Sequence, residues 1–199
     1  MSCCSSSSSS NTDSNTCLPA PKLTRKVSLI GDSGAGKTSL LHRYLSNDFI
    51  GTQATVGAAF AQKKLTYNFN DARGYREVQC NFWDTAGQEK FNCLVPIYLR
   101  GSDICLLAFS LTDNITFEHI PKWLRIIQDE CSDATVILVG CKSDLLDPER
   151  PIIIDKPYVT AKYPTYEYME TSAFNGNGIK ELFDTISYII LDKHESNTY

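Results

Sequence analysis

The chain has 199 residues, 42% hydrophobic and 21% charged, with a formal net charge of −4, enough to bury one sizeable core and short for two independent domains. A net negative charge without a long Lys or Arg block argues against a nucleic-acid partner, and no apolar run reaches the ~18 residues of a membrane span. The 8 cysteines are scattered through apolar stretches such as "VQCNFWD" and "DICLLAF", without CxxC pairs or a signal-peptide core, which reads as reduced thiols in the cytosol, with zinc the weaker alternative.

Residues 1–21, opening "MSCCSSSSSSNTDSNTCLPA", are mostly serine and small polar groups that cannot bury enough apolar surface to order themselves, and a disordered tail is expected. Residues 22–193 are expected to form one domain, with 194–199 a short tail. Within that domain "KVSLIG", "FAQKKLTYNF", "REVQCNFWD", "DICLLAFSL", "ATVILVG" and "YEYMETS" read as strands. Helical patterns separate most of them: "KTSLLHRYLSNDF", "TFEHIPKWLRIIQDE" and "GIKELFDTISYIILDK". Ile120, Trp123, Leu124 and Ile127, and again Ile179, Leu182, Phe183 and Ile186, recur at helical spacing and mark core faces. Alternating strands and helices imply an α/β fold, a mostly parallel sheet covered on both faces, with ligands bound beyond the carboxyl ends of the strands. "NDARG" between two β-rich runs with no helix between them predicts a hairpin and one antiparallel edge strand.

The segment after the first strand, "GDSGAGKTS", fits GxxxxGK[ST] with Gly31, Gly36, Lys37 and Thr38. In such a loop the backbone N–H groups of Asp32, Ser33, Gly34, Ala35 and Gly36 face an anion. Lys37 reaches the terminal phosphates, and Thr38, with Ser39 beside it, offers a hydroxyl to magnesium. "VQCNFWDTAGQEKF" ends its apolar part at Asp84, a carboxylate able to face that loop and hold the metal. Gly87 offers an unobstructed N–H, and Gln88 an amide able to orient water for in-line attack on a γ-phosphate.

With "GDSGAGKTS", "WDTAGQEKF", "CKSD" and "ETSAF" following predicted strands in this order, the chain from about residue 25 to 192 resembles a Ras-superfamily small GTPase, most like the Rab family. "TVGAAF" is particularly similar to the early-endosomal Rab subgroup. The resemblance implies a P-loop NTPase three-layer sandwich with a six-stranded sheet, binding of GTP and GDP with Mg2+, and GTP hydrolysis in a monomeric switch that regulates vesicle traffic. Catalysis would fall to Gln88, Lys37, Thr55 and Gly87, and magnesium to Thr38, Thr55 and Asp84. It also implies an exchange factor, an activating protein and effectors, the last read through Phe60, Trp83 and Tyr98. Asp144 would accept two hydrogen bonds from guanine, Lys142 would lie along the base, Ser172 and Ala173 would complete the base loop, and Phe49 would pack on the base edge.

Two positions depart from the family pattern. Cys141 stands where asparagine both donates to the base and ties the phosphate loop to its strand, and a thiol is only a weak donor and acceptor. Phe174 replaces a lysine whose stem covers the base. Pro157 and Pro164 are expected to shorten or break the helix between Asp144 and Glu170, and the hairpin from Phe60 to Trp83 is long for the family, a potential partner surface. His42, His119 and His194 read as functionally silent. The chain as given lacks a C-terminal prenylation motif; S-acylation of Cys3 or Cys4 is an alternative membrane contact, and the expected location is cytoplasmic or peripheral on endomembranes. The competing readings are a pseudo-GTPase scaffold that binds nucleotide weakly and, without support from "DTAGQ" or "KSD", a nucleoside kinase.

Overall fold

The computed structural model describes residues 23–51, 55–69, 73–87, 94–146 and 154–196. Six strands form one sheet: β1 Thr24–Ile30, β2 Ala58–Asn68, β3 Tyr75–Thr85, β4 Ile104–Ser110, β5 Thr135–Cys141 and β6 Glu167–Thr171, in the order β2-β3-β1-β4-β5-β6. β2 pairs antiparallel with β3 at the edge, and every other pairing is parallel. The interior strands read as continuous apolar runs because both faces are covered; all of "ICLLAFS" in β4 is buried. Edge strand β2 instead carries exposed Gln62 and Lys64 between less exposed neighbours, and charge on an edge discourages pairing with another chain.

Helices α1 (Lys37–Ser46) and α6 (Ile179–Ser196) cover one face. There Leu40, Leu182, Phe183 and Ile186 meet Val27, Leu29 and Phe82. The other face carries α2 (Val95–Leu99), α3 (Asn114–Glu118), α4 (Ile120–Glu130) and α5 (Lys156–Lys162), where Phe117, Ile120, Trp123 and Ile127 pack on Cys105, Leu107 and Leu138.

The segment "TFEHIPKWLRIIQDE", expected as one helix, is two. His119 caps the end of α3 and the start of α4 with φ −81° and ψ −5°, and Pro121 lies in the first turn of α4. A proline ring tolerates the start of a helix and resists its interior, so the break falls just before it. α5 follows the same rule. Asp155 caps it, accepting from Tyr158 N–H at 2.8 Å, and Pro157 sits in its first turn, so Pro157 begins the helix where a break was expected. Pro164 follows Tyr163, the C-cap residue, and α5 is short.

Both hairpin strands run 11 residues; residues 70–72 of its tip lie outside the described set. Its far end is fastened to α6: Arg73 Nη1 is 2.8 Å from Asp192 Oδ1, the guanidinium lies 3.7 Å from the Phe69 ring centroid, and Tyr67 meets Tyr188 at 5.6 Å. The expected tail, residues 1–21, also lies outside the described residues.

Phe82 is fully buried between Tyr44 and Phe183, at ring-centroid distances of 6.2 and 5.6 Å. Truncation there leaves a cavity that the rigid sheet cannot close, so Phe82→Ala is expected to cost about 3–5 kcal/mol in urea unfolding. A loss under about 1 kcal/mol would mean that α1 and α6 collapse into the space.

Candidate functional site

The loop between β1 and α1 owes its course to glycine. Gly31 has φ +135°, and a Cβ there would lie 2.1 Å from Ala108 O, so only glycine lets the chain leave the sheet this close to β4. Gly36 is the N-cap of α1 and provides no side-chain cap, and no acidic residue lies in the first turn. The first N–H groups of the helix are thus available to an anion. Lys37 is buried, and its Nζ donates to Gly31 O and Asp32 O, each at 2.7 Å. Burial pushes its ammonium down to about 8 from the usual 10.5, while the negative charge of Asp84 acts in the opposite direction.

The end of β3 closes against this loop. Ser33 N–H donates to Gly87 O at 3.0 Å, and a Cβ on Gly87 would lie 2.3 Å from the Asp32 carbonyl carbon, so glycine is required for the approach. Thr38 Oγ1 donates to Asp84 Oδ2 at 2.6 Å, and Thr55 Oγ1 lies 2.7 Å from Thr38 Oγ1. Asp84 is 1% exposed, and its Oδ1 is buried without a hydrogen-bond partner. Burial raises its carboxyl pKa, against the Thr38 hydrogen bond and the Lys37 charge. Among the described residues no three His, Cys, Asp or Glu side chains gather as a metal cluster; this set is one carboxylate and two hydroxyls. An unpartnered carboxylate oxygen beside two hydroxyl oxygens fits a small hard cation such as magnesium, which favours oxygen and binds through few protein ligands.

A cleft of about 370 Å³ lies over the loop, lined by Ser33, Gly34, Gly36, Lys37, Thr38, Ser39, Phe49, Thr55, Gly87 and Lys142. It shares Gly36, Ser39, Phe49 and Lys142 with a second, apolar cavity of about 390 Å³, which adds Leu40, Cys141, Asp144, Leu145, Thr171, Ala173 and Phe174. Asp144 sits in a 3-10 turn, Ser143–Leu145, that follows the left-handed Lys142 (φ 66°). Ser172 Oγ donates to Asp144 Oδ1 at 2.5 Å and holds the carboxylate in place. Phe49 and Phe174 meet edge to face across the mouth, with centroids 5.6 Å apart.

A model of the Ras family matches residues 26–192. The chain belongs to the Ras family. It is 38% identical over 164 residues to Ras-related protein RABF2b of Arabidopsis thaliana, covering 81% of this chain and 78% of the relative. Identity to Ras-related protein RABA4a of the same plant is 35% over 163 residues, covering 81% and 69%. Ras-related protein SEC4 of Saccharomyces cerevisiae matches at 34% over 174 residues, covering 86% and 77%. The chain is a Rab-like small GTPase, a guanine-nucleotide switch that hydrolyses GTP and regulates vesicle traffic.

Asp32 and Ala35 are expected to offer backbone N–H groups, and their side chains do not line the cleft of this Rab-like GTPase. Asp32 turns away: its Oδ1 accepts from Trp123 Nε1 at 2.8 Å and its Oδ2 lies 2.5 Å from His119 Nδ1. His119, read as silent, is therefore a neighbour of the phosphate loop; the contact spans 87 residues, and nothing in the local pattern announces it. Ala35 is buried and its N–H makes a turn to Asp32 O at 3.3 Å. Ser172 acts on Asp144, as above, while Thr171, Leu40 and Leu145 line the cavity unanticipated; Leu40, one helical turn beyond Gly36, was the most accessible of these to periodicity. The Cys141 Sγ makes two long hydrogen bonds of 3.8 Å, to Val139 O and from Thr171 Oγ1, and burial pushes its thiol up to about 11. Gln88 lies outside the described residues. Phe60, Trp83 and Tyr98 form one surface row, with centroids 5.1 and 5.9 Å apart; Phe60 is 52% exposed, which rules out simple core packing for it.

The Lys37 shift carries a pH dependence. The ammonium is charged below about pH 8 and is lost above it, whereas bound phosphates favour the charged form, so nucleotide binding should take up a proton and weaken as pH rises through about 8. The same shift makes the nucleotide-free fold gain stability between about 8 and 10.5, where the unfolded chain still holds the proton. Calorimetric titration with GDP at about pH 9, in buffers of different ionisation enthalpy, is expected to show uptake of close to one proton; equal apparent enthalpies in all buffers would mean that Lys37 keeps its charge.

Proposed function

We propose that this Rab-like GTPase holds the guanine base in the apolar half of the cleft and the phosphates over the loop of residues 31–39, within a domain of residues 22–193, with magnesium at Thr38, Thr55 and Asp84. The observation that carries the reading is the buried, unpartnered Asp84 Oδ1 beside Thr38 and Thr55 at one end of a cleft whose other end presents Asp144 braced by Ser172. In that reading Asp144 accepts from the ring N–H and exocyclic amine of guanine, which adenine lacks. Lys142 lays its methylenes along the base, Ala173 N–H faces the base carbonyl, and Phe49 and Phe174 wall the cavity.

Lys37 supplies charge to the β- and γ-phosphates, and Gly87 N–H faces the γ-phosphate. Gln88 orients the attacking water. A bound magnesium ion would neutralise phosphate charge during the transfer. No arginine is among the described cleft-lining residues, so an activating protein would contribute the missing cation, and unaided hydrolysis is slow. Ala86 N–H donates to Gly57 O at 2.8 Å, joining the segment that carries Thr55 to the end of β3. The aromatic row leading from that junction is where effectors would read the state. Among the described residues no helix is long and apolar enough to cross a membrane. A peripheral attachment through acylation of Cys3 or Cys4, which lie outside the described residues, fits a monomeric Rab-like switch.

Two substitutions test the base half. Asp144→Asn removes the charged acceptor and should weaken GDP by about 1.5–3 kcal/mol, roughly ten- to hundredfold, while narrowing the preference over ADP; unchanged discrimination in competition binding would move the specificity away from Asp144. Cys141→Asn restores a donor and an acceptor and should tighten GDP and GTP by about 1–3 kcal/mol, mostly through slower dissociation. Stopped-flow release of a fluorescent GDP analogue measures it, and equal rates would show that neighbouring groups already serve in place of the asparagine.

A further inference from the structure

A pair of thiols lies on the side of the sheet carrying α2–α5. Cys105 in β4 is fully buried and Cys131, the C-cap of α4, is half-buried; their sulfurs are 3.6 Å apart although the residues are separated by 26 positions. The position of Cys131 is well determined by its own backbone, since its N–H donates to Ile127 O at 2.8 Å and its carbonyl accepts from Ala134 N–H at 3.0 Å. Lys26 of β1, whose Nζ donates to Arg100 O at 2.7 Å, contributes positive charge to both sulfurs. A disulfide bond of about 2.05 Å needs the sulfurs to approach by roughly 1.5 Å, a distance within reach of a side-chain rotation at the end of a helix.

We propose that Cys105 and Cys131 are a peroxide-reactive dithiol that closes reversibly into an intramolecular disulfide. Cys131 is the attacking residue. It is the more accessible of the two, and the Cys105 hydrogen bond, followed by the Lys26 charge, lowers its pKa against the effect of partial burial. Cys105 is pushed the other way, first by its hydrogen bond to Cys131 and then by burial. The Cys131 thiolate attacks the terminal oxygen of a peroxide, the O–O bond breaks, and the alkoxide or hydroxide leaves and takes a proton; sulfur gives up two electrons and becomes a sulfenic acid. The Cys105 sulfur then attacks the Cys131 sulfur, an S–S bond forms, and the sulfenic oxygen leaves as water with the Cys105 proton. Overall, two thiols and one peroxide give one disulfide, one alcohol or water, and one water. A dithiol reductant reverses it. The product ties the C-cap of α4 to the second residue of β4, a covalent link where the reduced chain has a thiol–thiol contact.

The full chain treated with hydrogen peroxide is expected to lose about 2 Da, to give a Cys105–Cys131 linked peptide on digestion, and to melt roughly 5–10 °C higher, all reversed by dithiothreitol. Cys105→Ser should stop at a Cys131 sulfenic acid captured by dimedone, and Cys131→Ser should leave Cys105 unmodified; the peptide map of the natural chain stands even if a variant folds poorly. Oxidation of Cys131 to sulfinic acid, about 32 Da heavier, with Cys105 still free, a bridge from Cys131 to any other cysteine, or no reaction of the pair would each overturn the proposal.

Discussion

The site depends on how closely the end of β3 approaches the phosphate loop. Parallel pairing of β1 with β3 sets Leu29 opposite Asp84, and Thr85 Oγ1 donates to Leu29 O at 2.6 Å, so the two strands end in step. Two residues later Gly87 O accepts from Ser33 N–H, with no room for a Cβ. Each buried hydrogen bond contributes only about 1 kcal/mol net. Their importance is geometric: with the strand ends in register, Asp84 reaches Thr38 at 2.6 Å, and a slip of one residue would turn that carboxylate to the opposite face.

Much of this was legible beforehand because the relevant chemistry is local. The phosphate loop, the Asp84 turn and the Lys142–Asp144 turn each follow an apolar run that stops abruptly, and parallel strands place such stops on one edge of a sheet. Periodicity placed Ile120, Trp123, Leu124, Ile127, Ile179, Leu182, Phe183 and Ile186 in the core, and all are buried except Leu124, which is half-buried. The contacts that escaped are long in sequence and polar. Ser172 with Asp144 spans 28 residues, and Asp32 with His119 and Trp123 spans 87 and 91. Neither hydrophobic spacing nor propensity encodes which carboxylate a distant ring will meet. The helix break at His119 was readable in principle from Pro121, but the apolar periodicity continuing through the segment masked it.

The base half of the cleft shows what a thiol changes. Cys141 Sγ reaches no atom of the phosphate loop within hydrogen-bonding distance; its contacts, both 3.8 Å, remain within β5 and β6. It instead fills space beneath Gly36, where an added Cβ would lie 3.1 Å from Cys141 Cβ. With the thiol protonated and buried, it adds an apolar group to the cavity lining, as the Phe49–Phe174 pair does. In the proposed reading, affinity in such a cavity comes mainly from contact area, and selectivity from one carboxylate acceptor, Asp144. These are separable: a base can be chosen correctly and still be held loosely.

The loop that loses a tie to β5 has another to α4. Trp123, 1% exposed, donates its indole N–H to Asp32, and His119 approaches the second oxygen of the same carboxylate. His119 can do so because it lies at the junction of two helices, capping one and starting the next; in an unbroken helix its ring would be directed by the helical register instead. The kink forced by Pro121 and the anchoring of the phosphate loop are thus one feature. Because Trp123 is packed into the same cluster as Phe117, Ile120 and Ile127, the position of Asp32 is referred to the core of one face of the sheet, while Leu40 refers α1 to the other. The loop is clamped between the two cores through Asp32 on one side and the first turn of α1 on the other, and this can keep its shape without a hydrogen bond from residue 141.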